Sequence, residues 1–357
     1  MADIPSSKIS VIVQGAVSGP GRDGPGTTLT CLRSVREQLP DAEIVLSTWQ
    51  GAAVAGLPYD RLVENEDPGA VEFLEVPGVF NNVNRQIVTT LGGLRAAARP
   101  YGLKIRTDML VTGTGFLSYF DGFPARSAWS IFRSKVVAST MFSRVPAGIP
   151  AWPYHPGDWF FFGETADLLD LWDIPLAPEP ETTHWFVDRP RPLRDDLPNS
   201  MHRYEPEQYI WLSFLRKHFD VACAHRWDFN RDTVLGTERT LASNLILISP
   251  QQAGVHLVKY APLVKPQALA TNEGLMRLFA WLIYGAGSCY SHRGWRYLYE
   301  RHCRRAVSLD AAFSRVLQPF GVVARGLARW ALESTEYIRH PERRAQAPLG
   351  ARHRRPE

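Results

Sequence analysis

Three short stretches of this chain bring acids, cations and aromatic rings close enough together to act on a ligand. In Lys104-Ile105-Arg106-Thr107-Asp108 two cations and a carboxylate alternate with other residues. Side chains of an extended strand alternate with period two, so Lys104, Arg106 and Asp108 share one face. A carboxylate beside two cations at the C-terminal end of such a strand stands where open α/β sheets bind ligands. The plainer reading is an Arg106–Asp108 ion pair that only ties the sheet edge. In Asp158-Trp159-Phe160-Phe161-Phe162 an aspartate precedes four aromatics. Aromatic faces stack on sugar rings and bases, but the same run also suits a buried strand. In Glu205-Pro206-Glu207 the proline fits the first position of a helix. Glu207 then lies in the first turn, where a carboxylate also stabilises its own helix.

Two further positions carry charge of interest. Asn81-Asn82-Val83-Asn84-Arg85-Gln86 opens a helix that Asn81 or Asn82 can cap, with a buried stripe of Val83, Ile87, Leu91 and Leu94. Arg85 falls in its first turn, against the helix dipole, which hints at an anion nearby. His256 follows a strand and precedes Lys259 by three positions. A histidine there is able to ligate a metal while the lysine meets a phosphate.

The elements that must position these residues read as α/β. Ile9–Val13 is an apolar first strand, and a Gly/Pro-rich loop follows it at 18–28. Leu29, Leu32, Val35 and Leu39 keep a helical period, and Glu43–Ser47 returns as a strand. Such a β-loop-α-β unit predicts a parallel sheet. The loop glycines do not form the GxGxxG spacing of a dinucleotide site. Leu62-Val63 starts a third strand that ends in the acidic turn Glu64–Gly69, with Asp67 a turn former. Further strands are expected at Ala128–Phe132, Val136–Thr140, Asp220–His225 and Leu245–Ser249, and helices at Thr165–Trp172 and from Pro206 to about His218. The Pro-rich stretch from Ile174 to Asp196, which holds Trp185, suits a cover over a site.

The 357 residues, 45% hydrophobic and 21% charged, suit a globular protein of one large domain with an appendage. The four cysteines form no CxxC, and the polar start has no signal-peptide pattern. The expectation is a reducing, cytoplasmic setting with free thiols. From Cys289 onward fourteen arginines face six acidic residues, a net of +8, while the whole chain carries +4. The interleaved aromatics predict a basic amphipathic helical arm, either lying on an anionic inner-membrane face as a peripheral contact or packed on the body. Nucleic-acid binding is not expected, because the excess cations are confined to that last fifth.

In order and spacing, Val13-Gln14-Gly15, Ser47-Thr48-Trp49, Glu66-Asp67-Pro68-Gly69, Asn81 to Gln86, Lys104 to Asp108 and Asp158-Trp159-Phe160 resemble the WavE lipopolysaccharide-synthesis family across about residues 8–260. The resemblance implies a GT-A-like, Rossmann-type, mostly parallel sheet flanked by helices. It implies transfer of a sugar from a nucleotide-sugar donor to a glycan or lipid-linked acceptor of the bacterial envelope. The resemblance stops short of the C-terminal arm; with the helical period and basic composition read above, the expected division is a catalytic domain at 1–265, a basic helical extension at 266–340 and a disordered tail at 341–357.

On that reading Gln14, Gly15, Trp49, Asp67 and Asn82 line the nucleotide pocket, and Arg85, Arg106 and Lys259 meet the diphosphate. Glu207 is the favoured base, Asp158 contacts sugar or acceptor, and Trp159 and Trp185 lie on the acceptor side. Arg106 replaces the first acid of an Asp-x-Asp. Asp108, with His256, is therefore expected to hold Mn²⁺ or Mg²⁺, unless Arg85, Arg106 and Lys259 neutralise the phosphates without metal. A sugar nucleotidyltransferase and a non-catalytic scaffold of the envelope machinery are the rival readings.

Overall fold

The computed structural model describes residues 4–19, 24–74, 77–146, 152–190, 201–258 and 289–305. Its centre is a seven-stranded sheet. β1 (Ile9–Gln14), β2 (Glu43–Trp49), β3 (Arg61–Asn65) and β6 (Tyr101–Arg106) run parallel, in the order β3-β2-β1-β6. β9 (Phe161–Glu164) pairs antiparallel with β6 and with β8 (Val136–Ser139), and β10 (Leu245–Ile248) closes the far edge parallel to β8. Two short ribbons stand apart: β4 (Val71–Glu72) with β5 (Phe80–Asn81), and β7 (Met109–Val111) with β11 (Val255–Leu257).

The central strands form because they can be buried on both faces. Every residue of β1 is buried, as are Leu103, Lys104 and Ile105 of β6 and Phe161 and Phe162 of β9. α1 (Thr28–Gln38) is capped by the Thr27 hydroxyl, which accepts from the Thr30 N–H, and it packs beside β7. α2 (Val83–Ala96) lies across β1, β2 and β3. Gly93 lets it sit close, because a Cβ there would come within 2.5 Å of Ile12. α3 (Thr165–Trp172) follows on the same side and carries α4 (Pro206–Leu215). Trp172, Trp211 and Phe214 are fully buried there. Truncating any of them to alanine is expected to destabilise by roughly 3–5 kcal/mol.

Three expectations change, and one helix comes unannounced. Ala128–Phe132 is a turn, because Asn244 and Ser127 side chains take its backbone N–H groups at Ile131 and Trp129. Asp220–His225 is irregular, because Tyr204 and Arg216 donate to the Cys223 carbonyl and Asp228 accepts from the Ala224 N–H. Those groups are lost to a strand ladder. α5 (Arg231–Asn244) has no apolar stripe to announce it: its buried face is Thr233, Thr237, Thr240 and Ser243 around Gly236. Their hydroxyls donate to carbonyls three or four residues back, and Asn230 caps the start. Finally, β6 ends at Arg106, so Thr107 and Asp108 form a turn rather than the strand's last residues.

α6 (Pro250–Ala253) is a single turn that ends on left-handed Gly254 (φ 76°) before β11. α7 (His292–Tyr299) belongs to the basic C-terminal stretch and packs on α5 and β10 through buried Trp295, Leu298 and Tyr299. Of the two placements open for that arm, packing on the body holds for residues 289–305. The rest of the expected 266–340 extension, and the tail at 341–357, lie outside the described residues. Among the described residues no helix is long and apolar enough to cross a membrane.

Candidate functional site

β2 continues the sheet on one side of β1 and β6 on the other, so the chain reverses direction of progress between β1 and β6. Open parallel sheets bind ligands beyond the carboxyl ends of strands at such a switch point. Gln14 and Arg106 are register partners there, as the last residues of their strands. Beyond them lies a cleft of about 390 Å³ lined by Gln14, Gly15, Trp49, Asn82, Arg85, Gln86, Thr89, Arg106, Thr107 and Asp108, with Ala16 and Ser18.

Its floor is fixed by backbone and short side chains. Gly15 takes φ 119°, a conformation that favours glycine, and its N–H donates to the Ser47 carbonyl at 3.0 Å. Thr107 closes the turn, donating its N–H to the Gln14 carbonyl and its hydroxyl to the Ala16 carbonyl. Gln14 is buried and its Oε1 accepts from Thr89 Oγ1 at 2.7 Å. Thr89 belongs to a polar face of α2 made of Asn82, Arg85, Gln86 and Thr89. These are spaced i, i+3, i+4 and i+7, which places them on one side of a helix. At its start the Asn81 side chain, not that of Asn82, accepts from the Val83 N–H.

The cations of the cleft are each gripped by a carboxylate. Arg106 Nε and Nη2 donate to the two oxygens of Asp108 at 2.9 and 2.7 Å. The two side chains remain 33% and 23% exposed, so the pair faces the cleft and is not a sealed link. Its guanidinium lies 5.0 Å from the ring centre of Trp159, which stacks in turn on Phe142. Arg85 donates Nε and Nη2 to Asp67 at 2.8 and 2.6 Å, and Nη1 to Asn82. Its hydrogen bonds hold the Asp67 carboxyl below the usual range, and Asp67 raises the Arg85 guanidinium in return. Asp67 also accepts from the Gly69 N–H, so it serves its turn as well. A cation that looked misplaced on the helix dipole is therefore paired with a carboxylate from the neighbouring loop.

Asp158 stands beside the cleft. Its Oδ2 accepts from Gln86 Nε2 at 2.6 Å, and its backbone carbonyl accepts from the ammonium of buried Lys104 at 2.5 Å. Behind it Glu207 opens α4, 16% exposed, with His155 Nε2 at 3.6 Å. Burial, then the Asp158 and Glu205 charges, push the Glu207 carboxyl well above the ordinary range. Burial, then Arg144, push His155 well below its own. Gln86, Thr89, Lys104, His155 and Arg144 were not singled out from the sequence as site residues. The polar spacing along α2 would have found the first two.

Other expected residues stand apart. Trp185 lies in the loop before residue 190, its ring flanked by Arg189 at 3.8 Å and Arg203 at 4.0 Å. It does not line the cleft. His256 is exposed on β11, opposite Leu110 of β7. Lys259 lies outside the described residues. The donor set does not fit a divalent cation well. The oxygens of Asp108 are taken bidentate by Arg106, as those of Asp67 are by Arg85. Among the described residues no three His, Cys, Asp or Glu side chains cluster as metal ligands do.

The fold and the geometry together define an α/β protein whose sheet opens, at its switch point, on a cleft carrying two carboxylate-paired arginines. The chain belongs to the WavE lipopolysaccharide synthesis family, whose model matches residues 9–320. The match thus continues past residue 260 and takes in α7 and part of the basic stretch, which the sequence resemblance had left outside. No curated protein matches the chain. Family membership ties it to lipopolysaccharide synthesis.

Proposed function

We propose that the protein is a GT-A-like glycosyltransferase that moves a sugar from a nucleotide-sugar donor to a hydroxyl of an envelope glycan or lipid-linked acceptor. The observation that carries this reading is the cleft itself, where two oriented guanidiniums meet buried Gln14 and the glycine turn at the ends of β1 and β6. The parallel β3-β2-β1-β6 half of the sheet supports a nucleotide-binding role.

The main charge problem of sugar transfer is the diphosphate that departs. Arg85 and Arg106, oriented by Asp67 and Asp108, would set their positive charge against its oxygens. We favour this cation route over a metal because the carboxylates are already engaged. Trp49, Asn82, Gln14 and the Gly15 backbone would bind base and ribose. Asp158, oriented by Gln86, would contact the transferred sugar or the acceptor. Glu207 would take the acceptor proton: burial makes its carboxylate more basic than an exposed one, which favours proton transfer near neutral pH. Trp159 would act by supporting Arg106.

A thermal-shift series against UDP, GDP and CMP, with Mn²⁺ and with EDTA, tests the reading, because a bound ligand stabilises by mass action. A shift with one nucleotide that survives EDTA and disappears in Arg106→Ala is expected. No shift with any of them would favour the scaffold reading. Pyrophosphate formed from nucleoside triphosphate and sugar phosphate would favour the nucleotidyltransferase. An anionic membrane partner for the basic C-terminal stretch stays a proposal of the same kind, read by sedimentation with anionic against neutral vesicles.

A further inference from the structure

Lys104 takes no part in the chemistry described so far, yet it is fully buried in the central sheet. Its register partners are Ile12 on β1 and Phe161 on β9, positions where an apolar residue would pack without desolvating a charge. Its ammonium is enclosed from several elements. The Asp158 carbonyl, from the loop before β9, accepts its proton. The ring of Trp172 on α3 lies 4.9 Å away. Asp158, Asp108 of the β6–β7 turn and Glu207 of α4 favour its charge, and Arg106 on its own strand opposes it. Burial outweighs these and pulls the ammonium down to about 8. Lys104 and Arg106 are two residues apart on one strand, so they share a face. Lys104 holds the peptide of Asp158 from that face, while Arg106 lies against the ring of the next residue, Trp159.

We propose that Lys104 is a positioning residue that fixes the Asp158–Trp159 segment, so that the Asp158 carboxylate and the Trp159 platform under Arg106 keep one arrangement beside the cleft. The inference rests on the sugar-transfer reading above and adds to it a residue that touches no substrate. Its charge also favours the ionised form of Glu207.

The test compares wild type, Lys104→Met and Lys104→Gln, the last keeping a donor for the carbonyl while removing the charge. Three quantities are read: the melting temperature, the affinity for UDP, GDP and CMP by calorimetry, and the pH profile of nucleotide release from UDP-, GDP- and CMP-sugars with acceptor. For Lys104→Met we expect nucleotide affinity within about threefold of wild type, kcat down by at least about tenfold, and an acidic limb shifted upward by about half a pH unit or more. Lys104→Gln should recover part of kcat but keep the shifted limb. Loss of affinity, kcat and melting temperature together, with the limb unmoved in both variants, would show a purely structural lysine and overturn the inference. So would an unchanged kcat and profile in Lys104→Met. If the wild-type protein itself binds none of the nucleotides and releases none, it is the sugar-transfer reading that fails, and the three proteins will be alike.

Discussion

The cleft and the acid group behind it use the same kinds of side chain under opposite solvation. At the cleft, Asp67 is partly exposed and paired with Arg85, and its carboxyl is held low, so both charges persist across the usual pH range. At the start of α4 Glu207 is mostly enclosed, with Asp158 and Glu205 adding repulsion, and its carboxyl is driven up. His155 beside it is driven toward the neutral imidazole. Exposed pairs keep charge and suit anion binding, whereas enclosed groups hover near neutrality and suit moving a proton. The Gln86–Asp158–Lys104 hydrogen bonds join the two regions.

The sharpest way to break this division is Glu207→Gln. If Glu207 takes the acceptor proton, kcat for transfer should fall by roughly 10²–10⁴-fold, while affinity for the donor nucleotide stays as in wild type. The pH profile adds a signed check. A base must be ionised to act, and a raised carboxyl ionises late, so transfer should climb only as pH rises through a value well above that of an ordinary glutamate. A limb at the pH of an exposed carboxylate would assign the base elsewhere.

Arg106→Ala comes next in size. It removes a guanidinium oriented by Asp108 and supported by Trp159. A charge-assisted contact to phosphate contributes roughly 1.5–3 kcal/mol, so nucleoside diphosphate affinity should drop about ten- to hundredfold in calorimetry. The nucleoside should lose far less. Equal losses for nucleoside and diphosphate would mean a distorted floor rather than a missing phosphate contact. Asp67→Asn should do less than Arg106→Ala. It frees an exposed arginine from an exposed partner, and such pairs contribute up to about 1 kcal/mol. The expected change in diphosphate affinity is a few-fold, shrinking as salt is added.

The sequence made the parallel half of the sheet legible because its strands are apolar runs separated by Gly/Pro loops, and made the cleft legible because its charges sit at strand ends and helix starts. Arg85 and Asp67 were visible separately, but not as a pair, since they stand eighteen positions apart with a β-ribbon between them. α5 was hidden by its threonines, whose hydroxyls return to its own carbonyls. The strand expected at Asp220–His225 failed for the reverse reason: Tyr204 and Arg216, which flank α4, captured backbone groups that alternation alone would assign to a ladder. Lys104 was read as one of two cations on the face of Asp108, because nothing local tells an exposed lysine from one enclosed by α3 and the segment before β9.

The smallest effect extends the contrast to a carboxyl far from the cleft. Asp167 on α3 is pushed up to about 6, by burial first and then by Glu164, although its Oδ2 accepts from the Arg133 N–H at 3.0 Å. A folded-state value above the unfolded one means that folding takes up protons. The favourable contribution is complete below about pH 4 and fades as pH rises through about 6. Asp167→Asn keeps an acceptor for Arg133 and cannot ionise. It should therefore melt near wild type at pH 4 and higher at pH 8, by roughly 2–4 °C. A gain at pH 4 equal to that at pH 8 would point to packing instead. Asp167 is on α3 and Glu207 on α4, so an unchanged transfer profile in this variant would assign the raised limb to the acids beside the cleft, and a shifted one would show that burial across the α3–α4 face sets it.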